Sequence, residues 1–235
     1  MHFPQTNWTQ VAAATLNGDT SSRAALAQMC ADYREPLVSF LSSRGHGVCE
    51  SEDLVQEFYL KLLESRAWKR ADRERGRFRT FLLGALMHVT THARERADAV
   101  KRGSQIDHDS LEHLAEEGFE PCTVPVEVGR QFDSEWAYSL IKSTLHALEA
   151  EFAAEGRAGE FTALRGFLPG ADLPPSYEDL SARLAQPVAA LKTKVHRLRG
   201  RFRELLRTAV ARTVSDPHEV DEELAYLRSL LAGGV

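Results

Sequence analysis

The sequence predicts an all-α fold: two helical domains joined by an acidic linker, the C-terminal one a helix-turn-helix. Apolar residues recur at spacings of three and four in both halves, the period of a single helix face, and no alternating strand pattern breaks residues 20–100. Glycines, prolines and blocks of charge divide the chain into residues 1–102 (first helical domain), 103–133 (linker), 134–213 (second helical domain) and 214–235 (acidic helical extension).

In the first domain, Thr6 to Ala14 reads as a short helix ending near Asn17-Gly18. Ser21 and Ser22 are suited to cap a second helix, Arg23–Leu41, with Leu26, Met29, Cys30, Tyr33, Leu37 and Phe40 at helical spacing. Pro36 lies inside it and is expected to kink or interrupt it. After a turn at 42–47, Ser51 is expected to cap the next helix, with Glu52 and Asp53 favouring its N-terminal dipole. Leu54, Val55, Phe58, Tyr59, Leu62 and Leu63 form its apolar stripe; Asp53, Gln56, Glu57, Lys61 and Glu64 take the other side, with Leu60 among them. A leucine ringed by polar groups on a solvent face suits the centre of a docking patch, although a single exposed leucine is also ordinary.

A basic connector, 66–76, leads to a long helix, Phe78–Arg96, with no Asp, Glu, Lys or Arg from Thr80 to Ala93. Phe78, Phe81, Leu82, Ala85, Leu86 and Val89 make a core side; Thr80, His88, Thr90 and Thr91 lie opposite, flanked by basic residues. Such a polar, uncharged side with arginines at its ends suits unpaired bases and their phosphates, while packing inside the bundle is the alternative.

Residues 103–131 are acidic and contain Gly118, Pro121, Pro125 and Gly129, hence the linker; a docked surface loop is the alternative. Helical periodicity returns at Ser134 with Trp136, Leu140, Ile141, Leu145, Leu148 and Phe152. Phe161, Leu164 and Phe167 make a short helix ending at Pro169-Gly170. Residues 176–208 read as helix, tight turn, helix. Ser176 is the N-cap, Ala185-Gln186 the turn, and Pro187 starts the following helix, where its missing N–H costs nothing. Leu191, Val195, Leu198, Phe202 and Leu205 face inward, and Lys192, Thr193, His196, Arg197, Arg201 and Arg207 face outward. That is how a recognition helix is presented to the major groove. In the extension, Val220, Leu224, Leu227 and Leu231 share one side of an acidic helix, expected either to pack on the C-terminal domain or to act as an autoinhibitory or partner-binding element.

Composition bounds the function. With 235 residues, 43% hydrophobic and 27% charged, the chain has the make-up of a globular protein. It holds no apolar run of membrane-spanning length, and its first residues carry neither a basic region nor an apolar core, so neither a membrane span nor a signal peptide is expected. Three cysteines, Cys30, Cys49 and Cys122, suit a reducing cytosol, and the expected location is cytoplasmic. His46 and Cys49 share a turn, but without a second Cys/His pair at zinc spacing no metal is expected. No paired carboxylates, phosphate loop or clustered histidines stand out, so neither a cofactor nor enzymatic activity is expected. The net charge of −5 hides an alternation: residues 66–102 hold eleven Lys and Arg against four Asp and Glu, residues 103–160 three against thirteen, and residues 176–213 nine against three. For a nucleic-acid partner the local basic face matters more than the total.

E-D-L-V-Q-E followed by G-R-F-R-T-F-L-L resembles region two of bacterial RNA polymerase sigma factors of the extracytoplasmic-function (ECF) type. Y-E-D-L-S-A-R-L-A followed by V-A-A-L-K-T-K-V-H-R-L-R is similar to their region four. The resemblance covers about residues 20–102 and 134–212, in family order. It implies promoter-specific transcription initiation by binding core polymerase, clamp and flap, together with promoter DNA. An anti-sigma factor stays open as a further partner. The core-polymerase contacts implied are Asp53, Gln56, Glu57 and Leu60. On the minus-ten side they are Arg77, Arg79, Thr80, Phe81, His88, Thr91, Arg94, Arg96, Lys101 and Arg102; on the minus-thirty-five side, Gln186, Ala189, Lys192, Thr193, His196, Arg197 and Arg201. Four positions depart from the pattern: Ala185 stands for the usual turn glycine, Pro187 for a small polar cap, Phe81 for tryptophan and His88 for asparagine. A helix-turn-helix regulator acting without polymerase is the alternative; it leaves the docking helix unexplained.

Overall fold

The computed structural model describes residues 20–64, 78–101, 124–171, 174–214 and 216–232. The expected helix at Thr6–Ala14 and most of the linker lie outside them. The described residues form eight α-helices and no strand, in two compact units: the chain up to Ala137 together with Ala211 onward, and Tyr138–Val210.

The first unit begins with α1 (Thr20–Ser43), which runs through Pro36 without interruption. The proline lacks one N–H, but its neighbours Tyr33, Leu37, Phe40 and Leu41 are buried, and their packing outweighs a missing rung. Next, α2 (Val48–Glu64) starts three residues before the expected cap. Ser51 is buried inside it and its Oγ accepts from Ser42 Oγ at 3.1 Å, so it ties α2 to α1 rather than capping. The start is held by Glu50, whose carboxylate accepts from the Gly47 N–H at 3.4 Å and meets His46 Nδ1 at 3.0 Å. The His46 hydrogen bond keeps that carboxyl below its ordinary range. Val55, Phe58 and Leu62 face inward, and Tyr59 Oη donates to the Cys30 carbonyl of α1 at 2.9 Å. Burial pushes the Cys30 thiol up to about 11 and raises the Tyr59 phenol as well.

The expected core side of α3 (Phe78–Lys101) is buried, and so are Leu83 and Gly84. Tyr33 and Phe78 meet edge to face, with centroids 5.9 Å apart. The helix α4 (Val126–Ala154) begins within the expected linker. Its first part belongs to this unit, where Phe132 packs edge-on against Phe40 at 5.6 Å and Trp136 is buried. The last member is α8 (Val220–Ala232). Val220, Glu223, Leu227 and Leu230 are its buried residues; Leu224 and Leu231 of the expected stripe are only half-buried. The extension therefore groups with the first unit, not with the C-terminal domain.

In the second unit one core is shared by the rest of α4 (Leu145, Leu148, Phe152), α5 (Ala158–Leu164, with Phe161 and Leu164), the 3-10 turn Arg165–Phe167, Leu180 of α6 (Tyr177–Leu184), and Leu191, Val195, Leu198 and Phe202 of α7 (Val188–Ala211). Phe167 stacks on Tyr177 at 4.7 Å and its carbonyl accepts from Arg199 Nε at 2.9 Å. Ser176 caps α6 as expected, accepting from the Asp179 N–H at 3.1 Å. Pro187 stands one position before α7 rather than inside it, and its carbonyl accepts from Ala190 and Leu191.

The turn between α6 and α7 places Ala185 at φ 50°, the only non-glycine positive φ among the described residues. Its N–H and that of Gln186 both reach the Ser181 carbonyl, and Ser181 Oγ donates to the Gln186 carbonyl at 2.5 Å. A left-handed conformation costs an L-residue about 1–2 kcal/mol. Glycine removes that cost but adds about 0.4–1 kcal/mol of unfolded-chain entropy. Ala185→Gly is therefore expected to stabilise the second unit by about 0.5–1 kcal/mol, read as a higher urea midpoint at unchanged m-value.

Candidate polymerase and nucleic-acid interfaces

The solvent side of α2 is present as a surface. Asp53, Gln56 and Leu60 are exposed, Leu60 by 55%, and so is Leu63 one turn on from Leu60. Glu57 is half-buried and ion-paired with Lys61 one turn on. The face thus offers an apolar side chain among hydrogen-bonding groups, on a helix fixed from behind by Val55, Phe58 and Leu62.

On α3 the described exposed residues of the sequence-derived set are Thr80, Thr91 and Arg94, and His88 is half-buried. Thr90 and Thr91 both donate to the Met87 carbonyl, at 3.0 and 2.8 Å. Each oxygen can then accept from a ligand but has no proton left to give. Arg77 and Arg102 lie outside the described residues, and the side chains of Arg96 and Lys101 are likewise not described.

Two expected contacts are corrected. Phe81 is 8% exposed and packs on Phe78 with centroids 5.8 Å apart, so its ring belongs to the core. Arg79 is 2% exposed. Its Nε donates to Asp133 Oδ1 at 2.6 Å, an Nη lies 2.6 Å from Glu223 Oε1, and the guanidinium sits 4.5 Å from the Trp136 ring centroid. Tyr226 Oη donates to the other Asp133 oxygen at 2.6 Å. Burial alone would lower the Arg79 pKa; the Asp133 and Glu223 carboxylates outweigh it and hold the group above its ordinary value. A phosphate cannot reach a guanidinium so enclosed.

On α7, Ala189, Lys192, Thr193, His196 and Arg197 are exposed in consecutive turns, and Gln186 in the preceding turn is half-buried. Lys192 Nζ stands 5.7 Å from the Tyr177 ring centroid. Arg201 differs from these. It forms a two-point pair with Glu151, at 2.9 and 2.7 Å, and also meets Glu204 at 3.0 Å. The Glu151 hydrogen bonds raise the Arg201 pKa, and they lower that of Glu151. Nearer the N-terminus of the helix, Lys194 stands 3.6 Å from Glu160, itself paired with Arg157. Of the α7 cations, Arg201 and Lys194 face carboxylates of α4 and α5, Arg199 and Arg203 donate to the Phe167 and Arg199 carbonyls, and Lys192 and Arg197 are exposed near the N-terminal end.

Sequence reading missed the carboxylates that organise both Arg79 and Arg201. For the first cluster, spacing held the clue: Arg79 stands four before Leu83 and seven before Leu86, and Glu223 stands between Val220 and Leu227 on one apolar face.

Among the described residues no helix is long and apolar enough to cross a membrane, and no group of three or more His, Cys, Asp or Glu is placed to hold a metal ion. Residues 29–100 match the family model described as Sigma-70 region 2; no curated protein and no solved structure matches the chain. The matched segment contains the α2 face and nearly all of α3, and Sigma-70 region 2 binds core RNA polymerase and promoter DNA. The match covers less than a third of the chain, and what it shows is that residues 29–100 are similar to Sigma-70 region 2.

Proposed function

We propose that the chain is a cytoplasmic sigma factor of the ECF type that directs promoter-specific initiation through two DNA-contacting units. The α2 face of Asp53, Gln56, Glu57 and Leu60 docks on the polymerase clamp. The exposed stripe Thr80, Thr91 and Arg94, with His88 at its edge, takes the separated strand of the minus-ten element. The second unit acts as region four: α6 and α7 form a helix-turn-helix whose Gln186, Ala189, Lys192, Thr193, His196 and Arg197 meet the minus-thirty-five duplex, while the same unit contacts the polymerase flap. An anti-sigma factor, where one exists, would compete for these faces.

The observation that carries this reading is the region-two match over residues 29–100 together with the solvent exposure of Asp53, Gln56 and Leu60 within it. Run-off transcription with core polymerase on a library of promoter fragments tests it. Specific transcripts that depend on the chain are expected; none, with duplex binding retained, would leave the regulator reading in its place. Because Leu60 is exposed, Leu60→Asp is expected to leave thermal unfolding unchanged. It should weaken association with core polymerase by about tenfold, the consequence of placing a charge in the middle of a desolvated patch. Unaltered association in a pull-down would remove this face from the interface.

A further inference from the structure

The region-two match ends at residue 100, yet the buried partners of Arg79 come from beyond it: Asp133 on α4 and Glu223 on α8. Arg79 and Glu223 are 2% and 3% exposed, and a charge so enclosed persists only while its counter-charge is in place. The arrangement is more than one ion pair. Trp136 lies against the guanidinium, Tyr226 of α8 hydrogen-bonds the Asp133 carboxylate, and Val220, Leu227 and Leu230 bury the same side of α8. Arg79 is also the second residue of α3, directly before Thr80, which opens the exposed stripe continued by Thr91 and Arg94.

We infer that α8 is a built-in wall of the promoter-opening unit, and that Glu223 is a positioning residue acting through Arg79 on the first turn of α3. The role of α3 in strand capture rests on the proposed function. The physical claim is separate: the C-terminal segment supplies the counter-charge and apolar cover without which the start of α3 loses its place. This differs from an appendage packed on the second unit and from an inhibitory flap. An inhibitory flap would shield a surface that works better uncovered, whereas here Glu223 of α8 is the buried counter-charge of Arg79 in the first turn of α3.

The test uses the full chain with core polymerase and a promoter selected by the wild-type holoenzyme. The promoter is supplied both as closed duplex and with its minus-ten segment pre-melted as a bubble, with strand opening read by 2-aminopurine fluorescence. Glu223→Ala is expected to slow opening of the closed duplex by about tenfold or more, the size expected when a buried charge loses its partner. On the bubble, read as holoenzyme binding by fluorescence anisotropy, the loss should shrink to about threefold or less, and core association should stay within about twofold, since neither needs α3 to separate strands. Tyr226→Phe, which removes one hydrogen bond, should fall between wild type and Glu223→Ala. Opening at the wild-type rate overturns the inference. Faster opening also overturns it, because α8 would then restrain the unit. Equal losses on duplex, bubble and core association mean general unfolding and reject the positioning role. If the wild-type chain opens no promoter, the proposed function fails instead; thermal unfolding then decides the structural claim, and an unshifted midpoint for Glu223→Ala rejects it.

Discussion

Arg79→Ala is expected to destabilise the first unit by about 3–5 kcal/mol, the range for removing one partner of a buried ion pair. The loss would come mainly from what is left behind. Asp133 and Glu223 are 8% and 3% exposed, and without the guanidinium they become two buried carboxylates with no cation between them. Volume and charge separate by a second substitution. Arg79→Met keeps an apolar stem against Trp136 but restores no charge, so it should destabilise nearly as much as Ala. The triple change Arg79→Met, Asp133→Leu, Glu223→Leu removes all three charges and should recover most of the stability, because apolar replacement of a whole buried ion cluster is often neutral or favourable. Urea unfolding followed by tryptophan fluorescence, in variants with Trp8 and Trp68 replaced by Phe so that Trp136 is the reporter, reads the series. The sign of the pH dependence follows from the raised Arg79 pKa: its contribution is fully present below the ordinary arginine range and is lost only as pH rises through the still higher folded value. The arginine's part in the wild-type cluster is therefore flat across neutral pH. A single Arg79→Ala variant with the unfolding free energy of the wild type would show that the guanidinium is not needed to hold the two buried carboxylates.

How much of this was legible beforehand follows from which interactions are local. The apolar stripes of α2, α3 and α7 were readable because a buried helix face needs only its own spacing, and Val55, Phe58, Leu62, Leu82, Leu86, Leu191, Val195 and Leu198 are buried as expected. Ser176 was readable as a cap for the same reason, since its acceptor and the Asp179 N–H are three residues apart. Ser51 looked like an equally good cap, but its hydroxyl is used against Ser42 on another helix, a contact no single-helix rule contains. Pro36 was overread: local propensity argued for a break, and the packing of α1 overrode it. The largest miss was the Arg79 cluster. Arginines flanking a threonine face suggest phosphate contacts when only the neighbouring sequence is considered, and the carboxylates that enclose Arg79 are supplied from α4 and α8. The same reason moved the extension: the apolar period of α8 was visible, but the partner it packs against was not, and Glu223 takes the place among the buried residues that the expected stripe gave to Leu224.

The second large effect is expected on duplex binding by α7, and it divides the basic face in two. Lys192→Ala and Arg197→Ala should each weaken binding to a minus-thirty-five duplex by about tenfold, and the double variant by about a hundredfold, if each removes one phosphate or base-edge interaction worth about 1–2 kcal/mol. The slope of log affinity against log salt should fall by about one for each phosphate that is no longer neutralised. Arg201→Ala should behave differently. Its guanidinium is already held at two points by Glu151 and meets Glu204, so it has little free charge to offer a phosphate. An exposed pair of this kind contributes about 0.2–1 kcal/mol to stability, so its removal should cost about threefold or less in affinity and leave the salt slope unchanged. Swapping the partners, Glu151→Arg with Arg201→Glu, should then bind within about threefold of wild type. Fluorescence anisotropy at several salt concentrations measures all of these on one duplex. If Arg201→Ala instead lowers the slope by a full unit while Lys192→Ala does not, the reading surface lies further along α7 than Lys192 and Arg197, and their assignment as the principal DNA contacts is wrong.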